Sequence, residues 1–102
     1  MRDILSKIVI MSESKKQAQI LIYSRDMCPY CDAAKNLLKQ KGVKFEEINI
    51  SEKPELRDEF IKKAAPRRTF PQIFIDDKSV GGFDDINELE QKGELDKLIF
   101  ST

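Results

Sequence analysis

The chain has 102 residues, of which 40% are hydrophobic and 35% charged, with Lys plus Arg and Asp plus Glu both at 18. This length fits a single soluble globular domain, and the even charge argues against bulk attraction to nucleic acid or an acidic membrane. No apolar run approaches a bilayer span. Two cysteines and no histidine rule out a one-chain zinc site of Cys and His ligands and any Cys–His or Ser–His catalytic pair.

Residues 1–18 read as an N-terminal extension, poorly ordered, ahead of a single domain at 19–102. Lys7 interrupts the short apolar run near Met1, and no small-residue cleavage site follows, so the reading is a cytoplasmic protein without a secretory signal. Ile20-Leu21-Ile22-Tyr23 is a β-favouring run that ends at polar Ser24-Arg25-Asp26-Met27, which predicts a buried strand. From Pro29 to Lys41 the spacing of Ala33, Ala34, Leu37 and Leu38 predicts a helix. Pro29 suits its first turn, and Gly42 its C-terminal stop. The stretch 44–50 predicts a second strand, so strand, helix and strand form a βαβ unit with parallel strands.

Pro54 opens a second helix with Leu56, Phe60 and Ala64 on one stripe, ending before Pro66. Residues 71–75 predict a third strand, 76–78 a turn, and 79–81 a fourth strand paired antiparallel as a hairpin. Asp84 and Asp85 open a third helix that ends near Gly93, and 94–100 form a last short helix. The fold class is α/β, with element order βαβαββα(α).

Cys28 and Cys31 stand at the head of the first helix. There the sulfur of Cys28 meets unsatisfied backbone N–H groups and the positive end of the helix dipole, which stabilise a thiolate. Cys31, one turn on, is close enough for a disulfide. The cysteine count alone leaves redox chemistry, a metal shared between two chains, or two ordinary buried cysteines. Placement after a strand, at the start of a helix, within a βαβ unit favours a redox pair. Cys28, the more exposed, is then the attacking thiol, and Cys31 resolves the mixed disulfide. Arg25 supplies a cation just upstream.

From Ile20 to Phe100 the chain resembles the dithiol glutaredoxins of the thioredoxin-fold superfamily. Three motifs carry the resemblance: Cys28-Pro29-Tyr30-Cys31, Thr69-Phe70-Pro71 and Gly81-Gly82-Phe83-Asp84-Asp85. It implies a thioredoxin-like four-stranded mixed sheet flanked by helices, and a cis proline at Pro71 facing the cysteines. The activity implied is glutathione-dependent reduction of protein disulfides and glutathione mixed disulfides. Glutathione would be the reductant, and no metal is expected.

The resemblance also implies a glutathione site. The backbone of Phe70 would pair with the tripeptide as with an added strand. N–H groups at the start of the third helix, with Gly82 and Phe83, would hold the γ-glutamyl carboxylate, while Asp84 or Asp85 meets its ammonium group. Arg25, with Arg67 and Arg68, would meet the glycyl carboxylate, and Tyr30 and Thr69 complete the walls. Implied partners are disulfide-containing or glutathionylated proteins, among them ribonucleotide reductase; neither nucleic acid nor membrane is implied, and the expected state is a monomer. Two departures stand out. Phe70 replaces the usual valine and should narrow the groove, and Met27 precedes Cys28 where a small residue or threonine is common. A thioredoxin-like carrier is disfavoured by the lack of tryptophan, and a dimeric [2Fe-2S] carrier by the stiff Pro29-Tyr30 pair.

Overall fold

The computed structural model describes residues 17–64 and 69–100. Most of the expected extension, and Arg67 and Arg68, lie outside them. Strand β1 (Ile20–Ser24) leads into helix α1 (Pro29–Gln40), then strand β2 (Glu46–Asn49). A 3₁₀ turn (Pro54–Leu56) runs into helix α2 (Arg57–Ala64). Strands β3 (Gln72–Ile75) and β4 (Lys78–Gly81) form a hairpin, and helices α3 (Phe83–Gln91) and α4 (Leu95–Ile99) follow.

The sheet order is β2-β1-β3-β4. β1 pairs parallel with β2 and antiparallel with β3, and β3 pairs antiparallel with β4. This is the expected four-stranded mixed sheet with helices on both faces.

Strand alternation builds two cores. On one face Ile20, Ile22, Ile73 and Ile75 pack with Ala34 and Leu38 of α1, Ile86 of α3, and Leu95 and Ile99 of α4. On the other, Tyr23 and Phe74 pack with Phe60 and Ala64 of α2. Burying each of the larger apolar side chains contributes about 1.5–3 kcal/mol, so both layers fix the sheet from which the cysteine loop projects.

Several boundaries differ from the sequence reading, each for a physical reason. β2 begins at Glu46 and not Lys44. The Lys44 N–H donates to Gln17 Oε1 at 2.7 Å, and its carbonyl accepts from Gln17 Nε2 at 2.5 Å, so the backbone of Lys44 is engaged by a side chain rather than the ladder. Gln17 and Ala18 are thereby tied to the fold, and the Ala18 N–H donates to the Ile99 carbonyl at 2.7 Å. The hairpin turn is the two-residue Asp76-Asp77, both at positive φ (51° and 67°), as a type I′ turn requires, and Lys78 already belongs to β4.

α1 ends in a Schellman motif. Gly42, at φ +72°, donates to the Lys39 carbonyl, and Val43 donates to the Leu38 carbonyl. Glycine takes this left-handed position without steric cost. Lys41 beside it reaches Glu90 and Asp96, both at 2.6 Å, joining α1 to α3 and α4.

Candidate active site

The cysteine loop leaves the end of β1 and is held at several points. The Asp26 N–H donates to Ser51 Oγ at 3.0 Å, and Asn49 Nδ2 donates to Asp26 Oδ1 at 3.0 Å. Arg25 Nη1 donates to the carbonyls of Asp26 (3.0 Å) and Met27 (3.1 Å). Two residues before Cys28, then, the backbone is already anchored to the segment that follows β2.

Cys28 is the N-cap of α1, with Pro29 in the first turn. The Cys31 N–H donates to Cys28 Sγ at 3.2 Å, so one of the helix's orphan donors is aimed at the sulfur. The same bond would stabilise a thiolate at that atom. The two cysteines form a disulfide, with Cα atoms 5.2 Å apart. Cys28 is 5% exposed and Cys31 1%, so both are buried in this oxidised state.

Behind the loop, Glu47 of β2 bolts β1 to α1. It accepts from Ser24 Oγ at 2.5 Å and from Lys35 Nζ at 2.9 Å. Burial alone would raise the Glu47 pKa, but the hydrogen bonds from Ser24 and Lys35 and the charges of Lys35 and Lys39 outweigh it and hold the carboxyl below its ordinary value. Lys35 is raised, chiefly by its hydrogen bond to Glu47.

Beside the cysteines lies a cavity of 120 Å³ lined by Tyr30, Thr69, Phe70, Pro71, Gly82, Phe83, Asp84 and Asp85. The three motifs, far apart in sequence, therefore meet around one space. The Phe70–Pro71 peptide is cis, as the resemblance implies. The rings of Tyr30 and Phe83, both in the cavity's lining, stack with centroids 6.3 Å apart. Asp85 Oδ2 accepts from the Gly82 N–H at 2.8 Å and so closes the N-terminus of α3, while Asp84 is exposed. Gly82 is needed for closeness and not for φ: a Cβ there would stand 3.1 Å from the Pro71 carbonyl oxygen.

One expected residue is placed differently. Arg25 does not line the cavity; it clamps the loop carbonyls. Arg68 lies outside the described residues. Phe70 lines the cavity, and its ring stacks on Phe60 of α2 at 4.7 Å. Sequence reasoning missed Gln72, fully buried, whose Nε2 donates to Thr69 Oγ1 at 3.0 Å and steadies the Thr69-Phe70-Pro71 segment. A glutamine inside an otherwise apolar strand was the available signal. It also missed Asn49 and Ser51, for which no local signal exists.

A second, larger cavity of 510 Å³ includes Gln17, Ala18, Lys44 and Phe45 in its lining and none of the three motifs. Size does not decide here; the convergent chemistry is at the smaller one. Among the described residues, no three His, Cys, Asp or Glu side chains are grouped to hold a metal, and no helix is long and apolar enough to cross a membrane.

Comparison with known proteins agrees with this geometry. The glutaredoxin family profile matches residues 20–80. Glutaredoxin 1 of Rickettsia typhi is 52% identical over 81 residues, covering 78% of each chain. Glutaredoxin 3 of Escherichia coli K12 is 46% identical over 82 residues, covering 80% of this chain and 98% of the other. The solution structure of a Brucella melitensis glutaredoxin superposes with a TM-score of 0.71 at 48% identity, covering 84% of this chain and 92% of that one.

Proposed function

The chain belongs to the glutaredoxin family of thiol–disulfide oxidoreductases, and from that premise we propose that its disulfide chemistry runs on glutathione. The observation that supports this most is the convergence of Tyr30, Thr69-Phe70-Pro71 and Gly82-Phe83-Asp84-Asp85 on one cavity beside the cysteine pair. The cavity suits one arm of an extended tripeptide. Backbone groups of Phe70 pair with its cysteine residue like an added strand. The γ-glutamyl carboxylate faces the first-turn N–H groups of α3, and exposed Asp84 meets the ammonium. Asp85 keeps those N–H groups in place by capping Gly82. Arg25, with Arg67 and Arg68, provides positive charge for the glycyl carboxylate.

The chemistry has two branches. In deglutathionylation the Cys28 thiolate attacks the glutathione sulfur of a mixed disulfide. A Cys28–glutathione disulfide forms, and the substrate leaves as a thiolate. A second glutathione thiolate then attacks the glutathionyl sulfur, giving oxidised glutathione and restoring Cys28. In dithiol reduction Cys28 attacks one sulfur of a substrate disulfide and the other sulfur leaves as a thiolate. The Cys31 thiolate next attacks Cys28 Sγ, releasing the substrate's second thiolate and closing the Cys28–Cys31 disulfide. Two glutathiones return that disulfide to the dithiol. The protein acts as a cytoplasmic monomer, with ribonucleotide reductase among the disulfide enzymes it could serve.

A coupled assay tests the reading. The protein is mixed with a small glutathionylated disulfide, glutathione, glutathione reductase and reduced nicotinamide, and nicotinamide oxidation is followed. Turnover that rises with glutathione supports the proposal. Turnover only with thioredoxin reductase in place of the glutathione system would overturn it.

A further inference from the structure

The large hydrophobic residues exposed among those described are Met27, Tyr30 and Leu98. Two of the three flank Cys28, which concentrates exposed apolar surface at the reactive sulfur. Met27 is 93% exposed and sits at φ +54°, a left-handed conformation that glycine, asparagine and aspartate adopt far more readily than methionine. The backbone beside it is tied by hydrogen bonds. Asp26 is fixed by Ser51 and Asn49, and Arg25 clamps the carbonyls of Asp26 and Met27. A position asked only to turn the chain would be served by glycine. Here the fold holds a flexible thioether in solvent immediately before the nucleophile. Met27 also does not line the cavity formed by the three motifs, so a ligand in that cavity leaves it uncovered.

We propose that Met27 is a specificity-determining residue for dithiol reduction: with Tyr30 it forms an apolar lip that selects polypeptide disulfides whose attacked cysteine is flanked by an apolar side chain. The inference rests on the thiol–disulfide activity proposed above. When Cys28 bonds to a substrate sulfur, the residues flanking that cysteine lie over the segment around Cys28, and Met27 and Tyr30 are its exposed apolar members. An unbranched thioether adapts to varied partners. The lip therefore favours a class of neighbours rather than one sequence.

The test uses two peptides with an internal disulfide, identical except for Leu or Asp beside the attacked cysteine. Each is reduced by the wild-type protein, Met27→Gly and Met27→Leu, and the ratio of kcat/KM values is the readout. Partial burial of one methionine side chain corresponds to roughly a fivefold preference for the Leu peptide in the wild type. Met27→Gly keeps the left-handed backbone and removes the side chain, so the ratio should fall towards one, and Met27→Leu should restore it. A thermal scan of each variant confirms that it is folded. No preference in the wild type, or a preference that survives Met27→Gly, overturns the inference. Failure of the wild type to turn over even the small glutathionylated disulfide overturns the functional reading itself.

Discussion

Replacing Gly82 with alanine should destabilise the protein and weaken its use of glutathionylated substrates together. Gly82 has extended backbone angles (φ −102°, ψ −161°) that alanine adopts freely. With open space around it, the substitution would therefore stabilise by roughly 0.4–1 kcal/mol through the unfolded chain. The structure reverses the sign. The new methyl would stand 3.1 Å from the Pro71 carbonyl oxygen, and neither side can yield easily. Gly82 is held by Asp85 at 2.8 Å and by the Ile86 N–H at 3.1 Å. Pro71 leads directly into Gln72, which pairs with Tyr23 in the sheet. Overpacking of this kind costs about 1–3 kcal/mol, which leaves a net loss of about 1 kcal/mol, or about 4–8 °C in Tm for a domain of this size. Because the methyl would also crowd the proposed glutathione cavity, kcat/KM for a glutathionylated substrate should fall roughly tenfold. Urea unfolding at unchanged m, with the coupled assay alongside, measures both effects. A midpoint equal to or above that of the wild type would refute the contact argument, and unchanged kinetics would remove Gly82 from the site.

The cysteines should separate by role. Cys28→Ser should abolish both activities, whereas Cys31→Ser should keep glutathione-linked reduction of mixed disulfides and lose dithiol reduction of peptide disulfides; equal losses in the two variants would contradict the assignment. Glu47→Gln should lower stability at pH 7 by about 1 kcal/mol, measured by urea unfolding. Because the folded pKa of Glu47 is depressed, its contribution is complete above the ordinary carboxylate range and is lost as pH falls through the folded value, so the gap between wild type and variant should close in acid. The Lys35 pKa is raised, so its contribution is complete below the ordinary lysine value and is lost only as pH rises through the raised one. A gap that widened in acid would show that Glu47 is not held as described.

The parts of the fold that depend on near neighbours in sequence were legible. The strand before Ser24, the helix opened by Pro29 and stopped by Gly42, and the hairpin at Asp76-Asp77 each rest on residues within a turn of one another. What stayed hidden depends on partners far along the chain. β2 starts late because Gln17, 27 residues away, takes up the backbone of Lys44. Lys41 meets Glu90 and Asp96, which no helical pattern on α1 foretells. The same holds at the site. The cysteine spacing and the glycine pair announce themselves, yet the loop's anchors on Asn49 and Ser51 and the stacking of Phe70 on Phe60 follow only from how β2 and α2 pack.

We propose that Cys28 attacks glutathione disulfides directly. Its most direct test is mass spectrometry of reduced Cys31→Ser and Cys28→Ser proteins after brief exposure to a glutathionylated disulfide under identical conditions. A rapid glutathionyl adduct is expected at Cys28 in Cys31→Ser and none in Cys28→Ser over the same interval. Modification of Cys31 at a comparable rate, or no adduct in either protein, would contradict it.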